Sequence, residues 1–406
     1  MVSIFPFVLG FMTAVAFSEV GLTVGVAADG LYSWLKERIL ARPGGWMSLA
    51  EWMDEVLYHP QWGYYMQWKK KIGKDGDYYT SSSFATVFGD LLAEALCGLL
   101  RTLSVPQYHI VELGGGDGRL AASVLDAFQR HPDVYEKVTY YMVEKSPYHR
   151  HRQQETLARH RHRVAIVDEV DELAPFSGII YSNEFFDALP VHGLVGQGDM
   201  WHEVGVTWDE TSGRFVEKRV PCRDERLLSV LAEWGVRPEK ESRVEISLDA
   251  VAWMQKLAQV MTSGYVLTID YGYWSDDGRC RPDGTVRAFR AHQLTSDVWA
   301  YPGEQDVTTD VHFSLLLREG QKGGLEPVWK GTQRDFLLRL GILAELTDGI
   351  NDPWSAAARK NRMIRQLVFD ETGMGSRFSV LVQAKNVQLP KRLHGLKRSF
   401  ALTDGG

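Results

Sequence analysis

The chain has 406 residues, 45% hydrophobic and 24% charged, and its 45 Lys and Arg against 52 Asp and Glu leave a net charge of −7. That composition excludes a disordered chain, a collagen-like chain and a multi-span membrane protein, and the mild acidity argues against a general nucleic-acid binder. The length suits two or three domains, or one large α/β domain with insertions, and is enough to bury a core without covalent staples. Cys97, Cys222 and Cys280 lie far apart and form no C-x-x-C pair. That spacing offers neither a zinc knuckle nor a disulfide framework. It fits a reducing compartment and three small buried apolar residues, and no metal is expected.

Met1 to Ser18 carries no charge, and an apolar run resumes from Val20 to Ala28 after Glu19. No Lys or Arg leads it and no Arg precedes Arg38, so it reads neither as a secretory signal nor as a mitochondrial leader. The expectation is a bacterial cytoplasmic protein, with membrane contact only if this segment supplies it. Leu31 to Leu40 reads as the first helix of the fold. Ser48 to Leu57 is a second, with Ser48 as N-cap and Glu51 completing a capping box. A Gly- and aromatic-rich stretch, Tyr58 to Tyr79, is followed by a helix from about Thr86 to Leu103.

From His109 the pattern alternates. Strands are expected at His109–Leu113, Val138–Val143, Val164–Val167 and Ser177–Ser182, with helices at Arg119–Gln129 and Pro147–His160. Glu245–Leu248, the helix Ala250–Met261 and the strand Tyr265–Tyr271 continue the series, and Phe378–Ala384 supplies a final antiparallel edge strand. Such alternation predicts an α/β fold, a largely parallel sheet with helices on both faces. Asp199–Val220 reads as a β-hairpin, and Ser275–Val307 as a long loop of the kind that often carries function.

The chemistry concentrates where strands end. Val111-Glu112-Leu113-Gly114-Gly115-Gly116-Asp117-Gly118 follows a strand and opens a helix. Open α/β sheets bind ligands at that edge, and glycines there let a backbone pass close to a cofactor. A dinucleotide fingerprint, G-x-G-x-x-G, would need glycine at Arg119. The pattern present, E-x-G-x-G-x-G, resembles motif I of class I S-adenosylmethionine (SAM) methyltransferases. On the glycines alone, a ligand-free turn and another nucleotide site stay open. Glu144 ends the next strand, where a carboxylate can accept two ribose hydroxyls, which supports an adenosine cofactor without choosing which. The fourth strand ends in Asn183-Glu184-Phe185-Phe186-Asp187, two acids, an amide and two aromatics.

Ordered blocks along the chain then carry a family resemblance. L-Y-H-P-Q-W-G-Y-Y (57–65), G-D-Y-Y-T (76–80), V-E-L-G-G-G-D-G-R-L (111–120), N-E-F-F-D-A-L-P-V-H (183–192), I-D-Y-G (269–272) and P-G-E-Q-D-V-T (302–308) resemble the MidA-like family of SAM-dependent methyltransferases. That family includes a mitochondrial complex I assembly factor that dimethylates an arginine. The likeness runs from about Leu49 to Lys385. It departs from the family over Ser82 and Ser83, with Ser83 standing where an acid is usual, and at Asp117 and Arg119.

The resemblance implies a class I, Rossmann-like sheet with an N-terminal helical segment and an inserted hairpin and loop subdomain. The expected organisation is an apolar segment over 1–30, a helical and lid region over 31–105, a SAM-binding core over 106–198, and an inserted hairpin and helix over 199–240. The core continues over 241–274, followed by a substrate loop region over 275–345, a C-terminal helix and edge strand over 346–390, and a tail over 391–406. By class I analogy Glu112, Gly114, Gly116, Gly118 and Glu144 hold the cofactor, and Asn183 lies near the transferred methyl. Carboxylates are needed to orient a guanidinium, so Glu184 and Asp187 join Asn183 as the catalytic candidates, with His192 and His292 as proton acceptors. Gly76, Asp77 and Thr80 form a lid with Gly76 as hinge, and Arg287 and Arg290 order the loop by ion pairs. The expected activity is methylation of a protein, with arginine the acceptor to consider first. A non-catalytic assembly factor on the same scaffold and a small-molecule methyltransferase are the alternatives.

Overall fold

The computed structural model describes residues 26–69, 71, 85–239, 241–275, 283–290, 293–369 and 374–388. The lid candidates Gly76, Asp77 and Thr80, together with Ser82, Ser83, Cys280, His292, the first 25 residues and the tail, lie outside them. Two helices open the described chain, α1 (Val26–Leu40) and α2 (Leu49–Tyr58). The expected capping box starts α2: the Glu51 N–H donates to Ser48 Oγ at 3.2 Å, and the Ser48 N–H donates to Glu51 Oε2 at 3.0 Å. The buried face of α2, with Trp52, Met53, Val56 and Leu57, packs with Leu31, Leu35 and Ile39 of α1.

The main sheet contains β1 (Tyr108–Leu113), β2 (Val138–Val143), β3 (Val164–Val167), β4 (Phe176–Asn183), β5 (Met261–Tyr273), β6 (Glu326–Thr332) and β7 (Phe378–Lys385). Their spatial order is β3-β2-β1-β4-β5-β7-β6. The first five run parallel, and β7 is antiparallel to both β5 and β6. Period-two alternation splits the core in two. Ile110, Ile179 and Leu267 face α3 (Ala85–Leu100) and α4 (Arg119–Phe128), whereas Val111, Ile180 and Val266 face α6 (Leu248–Val260) and α7 (Phe313–Lys322). One further helix, α5 (Pro147–Thr156), follows β2. Helices therefore cover both faces, as the alternation predicts.

Three expectations need correction. Phe378–Ala384 is not an edge strand: β7 is interior, and β6 takes the edge. Seven of its eight residues are buried, the signature of a strand covered on every side. The strand near Glu245–Leu248 spans Arg243–Ile246 and does not join the parallel sheet. It pairs antiparallel with His192–Gln197 in a second, five-stranded sheet built on the hairpin Met200–Asp209 and Arg214–Pro221. The stretch read as a loop after Ser275 contains a third sheet, Gln293–Thr295, Arg287–Arg290 and Asp306–Thr308. Among the described residues, no helix is long and apolar enough to cross a membrane.

Candidate active site

Parallel register levels the strand ends. Leu113 pairs with Val143 and with Ser182, and Asn183 pairs with Ile269. The residues that follow these positions therefore emerge along one edge, where a cavity of about 1020 Å³ opens. That volume matches the upper range of small-molecule sites.

At one end lies the glycine loop. Gly114, Gly116 and Gly118 have φ of +63°, +54° and +80°, a region that residues with a Cβ enter at a cost. A Cβ on Gly115 would come within 2.2 Å of Met142 and 2.9 Å of the Glu112 carboxyl carbon, so only glycine lets the loop lie against that acid. Gly114, Gly115 and Gly116 line the cavity. Gly118 does not: it is the N-cap of α4 and backs onto Gln153. Its conformation turns the loop into the helix, and that corrects its expected place against a ligand.

Two buried carboxylates face this end. Glu112 Oε2 accepts the Tyr140 hydroxyl at 2.6 Å, and Tyr140 meets the Tyr181 hydroxyl in turn. Glu144 Oε1 accepts the Ser146 N–H at 2.8 Å. Burial pushes Glu112 and Glu144 each up to about 7; the tyrosines oppose this at Glu112, and Ser146 and Lys71 at Glu144. Asp168, directly after β3, also lines the cavity and was missed from sequence, although its place at the third strand's end is the same signal that picked out Glu144.

Beside the glycine loop, across from Gly114, the wall is acidic. Asn183, Glu184 and Asp187 all line it, so the three catalytic candidates are brought together. Asn183 Nδ2 donates to Glu184 Oε1 at 3.1 Å. The buried Asp187 is pushed well above the carboxylate range by burial and by Asp270, Glu184 and Asp306, with Arg287 opposing. Phe186 is core, whereas Phe185 packs edge-on to Trp253 and both line the cavity wall. Asp270 sits behind the turn; burial and Glu184 push its carboxyl upward, while the backbone N–H groups that donate to it favour the ionised form.

Residues from distant segments complete the wall. The third sheet brings Arg287, Asp306 and Thr308, the end of α2 brings Tyr58, and the stretch after it brings Tyr65. Tyr65 donates to Asp306 Oδ1 at 2.6 Å, and Tyr58 donates to the Ala188 carbonyl at 3.0 Å. Arg287 pairs with Asp310 at 2.5 Å and Arg290 with Glu304 at 2.7 Å, the loop-ordering pairs anticipated from sequence. Tyr65 and Asp306 stand inside sequence blocks already singled out, but no spacing rule joins segments 241 residues apart. His192 is the clear miss: its Nδ1 meets Glu203 Oε1 at 2.7 Å within the second sheet, and it does not line the cavity. Cys97 is buried and Cys222 half-buried, both pushed upward by burial, Cys97 to about 12.

The donor set suits a SAM-like ligand: a glycine backbone that lines the cavity, carboxylate acceptors for hydroxyl and ammonium groups, and an adjoining acidic turn for a cationic centre. Comparison with known proteins agrees. Residues 91–330 match a family described as "Putative S-adenosyl-L-methionine-dependent methyltransferase". The chain is 31% identical to "Protein arginine methyltransferase NDUFAF7, mitochondrial" of Mus musculus, over 86% of this chain and 83% of that protein. Its Rattus norvegicus counterpart is 32% identical over 82% and 80%. A solved structure described as a "likely methyl transferase from Burkholderia thailandensis bound to S-adenosyl-homocysteine" superposes with a TM-score of 0.83 at 27% identity, covering 95% of this chain and 98% of that one. The chain belongs to the MidA-like family of SAM-dependent methyltransferases.

Proposed function

We propose that the protein transfers a methyl group from SAM to a guanidinium nitrogen of an arginine in a protein. The observation that carries this reading is the acidic turn Glu184–Asp187, which lines the cavity beside the glycine loop, Phe185 packing against Gly114. Arginine methyltransferases among the relatives support it.

SAM supplies a methyl group on a sulfonium, already activated for in-line displacement. The chain's task is then to align donor and acceptor, an effect worth on the order of 7–11 kcal/mol. Gly114 to Gly116 and Glu112 border the methionine end in this reading, and Glu144 accepts the ribose hydroxyls. Asp168 adjoins the base, and Asn183 lies beside the transferred methyl. Glu184 and Asp187 grip the guanidinium, whose planar fork of N–H donors matches two carboxylates. The nitrogen must lose a proton as it gains the methyl. With His192 engaged elsewhere, that proton passes to a carboxylate of the turn. Asp187 suits it best, because burial and the neighbouring acids make it hold a proton more firmly than an ordinary carboxylate does.

The experiment is incubation with methyl-labelled SAM and cell protein, followed by acid hydrolysis and amino-acid analysis. Label in methylarginine is the expected result. Label confined to small metabolites overturns the protein reading, and SAM binding with no transfer favours a scaffold role.

A further inference from the structure

One buried side chain accounts for the shape of the acidic turn. Asp270, near the end of β5, is fully buried and does not line the cavity. Its Oδ2 accepts the N–H groups of Phe185, Phe186 and Asp187 at 3.0, 2.8 and 3.3 Å, and its Oδ1 accepts that of Tyr271 at 2.8 Å. Three consecutive amides converging on one oxygen form a backbone nest, a concavity that favours an anion. Glu184, at the head of the nest, has φ of +55°. That conformation is strained for a residue with a Cβ and persists only where its surroundings enforce it. The Glu184 N–H is itself tied to the carbonyl of Ile269, the residue before Asp270, at 3.0 Å.

We infer that Asp270 is a positioning residue for the acceptor: its carboxylate folds the backbone of 184–187 so that Glu184 and Asp187 face the cavity together. This rests on the reading that the turn holds the guanidinium. A carboxylate is required because it offers two acceptor oxygens and no donor. Asparagine would turn an NH₂ group toward either the nest or the Tyr271 N–H. Glutamate keeps the charge but carries it one methylene further and pushes the turn outward.

The test compares the full-length parent with D270N and D270E, using S-adenosyl-homocysteine as the cofactor-site probe and ethylguanidinium as the acceptor-site probe. Both folded variants should bind S-adenosyl-homocysteine as the parent does and ethylguanidinium about tenfold or more weakly, the size of a lost charge-assisted contact. Amide exchange should quicken at Phe185–Asp187 and Tyr271 but not at Gly114–Gly116. Unchanged ethylguanidinium affinity and exchange would overturn the inference. So would equal loss at both sites, or failure of both variants to fold, since either outcome makes Asp270 a general structural residue. If the parent itself does not bind ethylguanidinium, the arginine reading fails, and the exchange pattern alone decides the role of Asp270.

Discussion

Glu112 and Glu144 sit near 7 because burial disfavours their charge, well above the value of about 4.3 of an exposed glutamate. A carboxyl raised in the folded state adds stability that is fully present below its unfolded pKa and is lost as pH rises through its folded one. The ligand-free protein is therefore expected to melt at progressively lower temperature from about pH 5 to pH 8. Cofactor binding runs the other way, because ribose hydroxyls donate to the ionised form of Glu144. The gap between melting temperatures with and without SAM should widen over the same pH range, and Glu144→Gln should flatten it while weakening SAM binding about 10- to 100-fold. A gap independent of pH would remove Glu144 from the ribose. At the acidic turn, Glu184→Gln and Asp187→Asn should leave SAM affinity intact and slow methyl transfer on the order of 10²- to 10⁴-fold. Single-turnover rates at saturating SAM check this, and parent-like rates would place the proton acceptor elsewhere.

Elements explain why the sequence was legible in part. The capping box of α2, the strand ends and the turn of the glycine loop are local patterns, written within a few residues. Ser48→Ala should cost about 1 kcal/mol, since it removes the cap that satisfies the Glu51 N–H; thermal unfolding measures it. Gly115→Ala is expected to displace Glu112 and to lose both stability and SAM affinity, whereas Gly116→Val meets a backbone at φ +54° and strains the loop itself. What stayed hidden depended on partners. The strand Arg243–Ile246 alternates polar and apolar residues, but four positions do not reveal which sheet it joins. β7 carries Ser379 and Gln383, which lend it an edge-like look, yet both are buried, and the Gln383 amide donates to the Leu317 and Leu325 carbonyls. His192 stood five residues from Asp187 in sequence, but the chain turns into the second sheet at that point and carries it away.

At the scale of the whole molecule, the cavity wall draws on Asp54 near the start of the described chain and on Arg377 near its end. No short segment contains the site. SAM should accordingly raise the stability of one cooperative unfolding transition, by about 2.7 kcal/mol at a hundredfold excess over Kd, rather than protect a fragment. Calorimetry showing a separate ligand-sensitive transition would contradict this. Strand order adds a constraint on how the molecule comes into being. β7 lies between β5 and β6, both made before it. A growing chain therefore holds the glycine loop, both glutamates and the acidic turn well before its sheet can join. Until residue 385 has been synthesised, β5 presents an open edge eight residues long, Gly264 to Tyr271, whose side chains are almost all apolar or destined for burial. Such an edge is a template for pairing with another chain. The last strand thus acts as the closing tooth of a zip: birth of the protein leaves it vulnerable to its own copies, and protection during synthesis matters more for it than for a fold whose strands join in the order they are made.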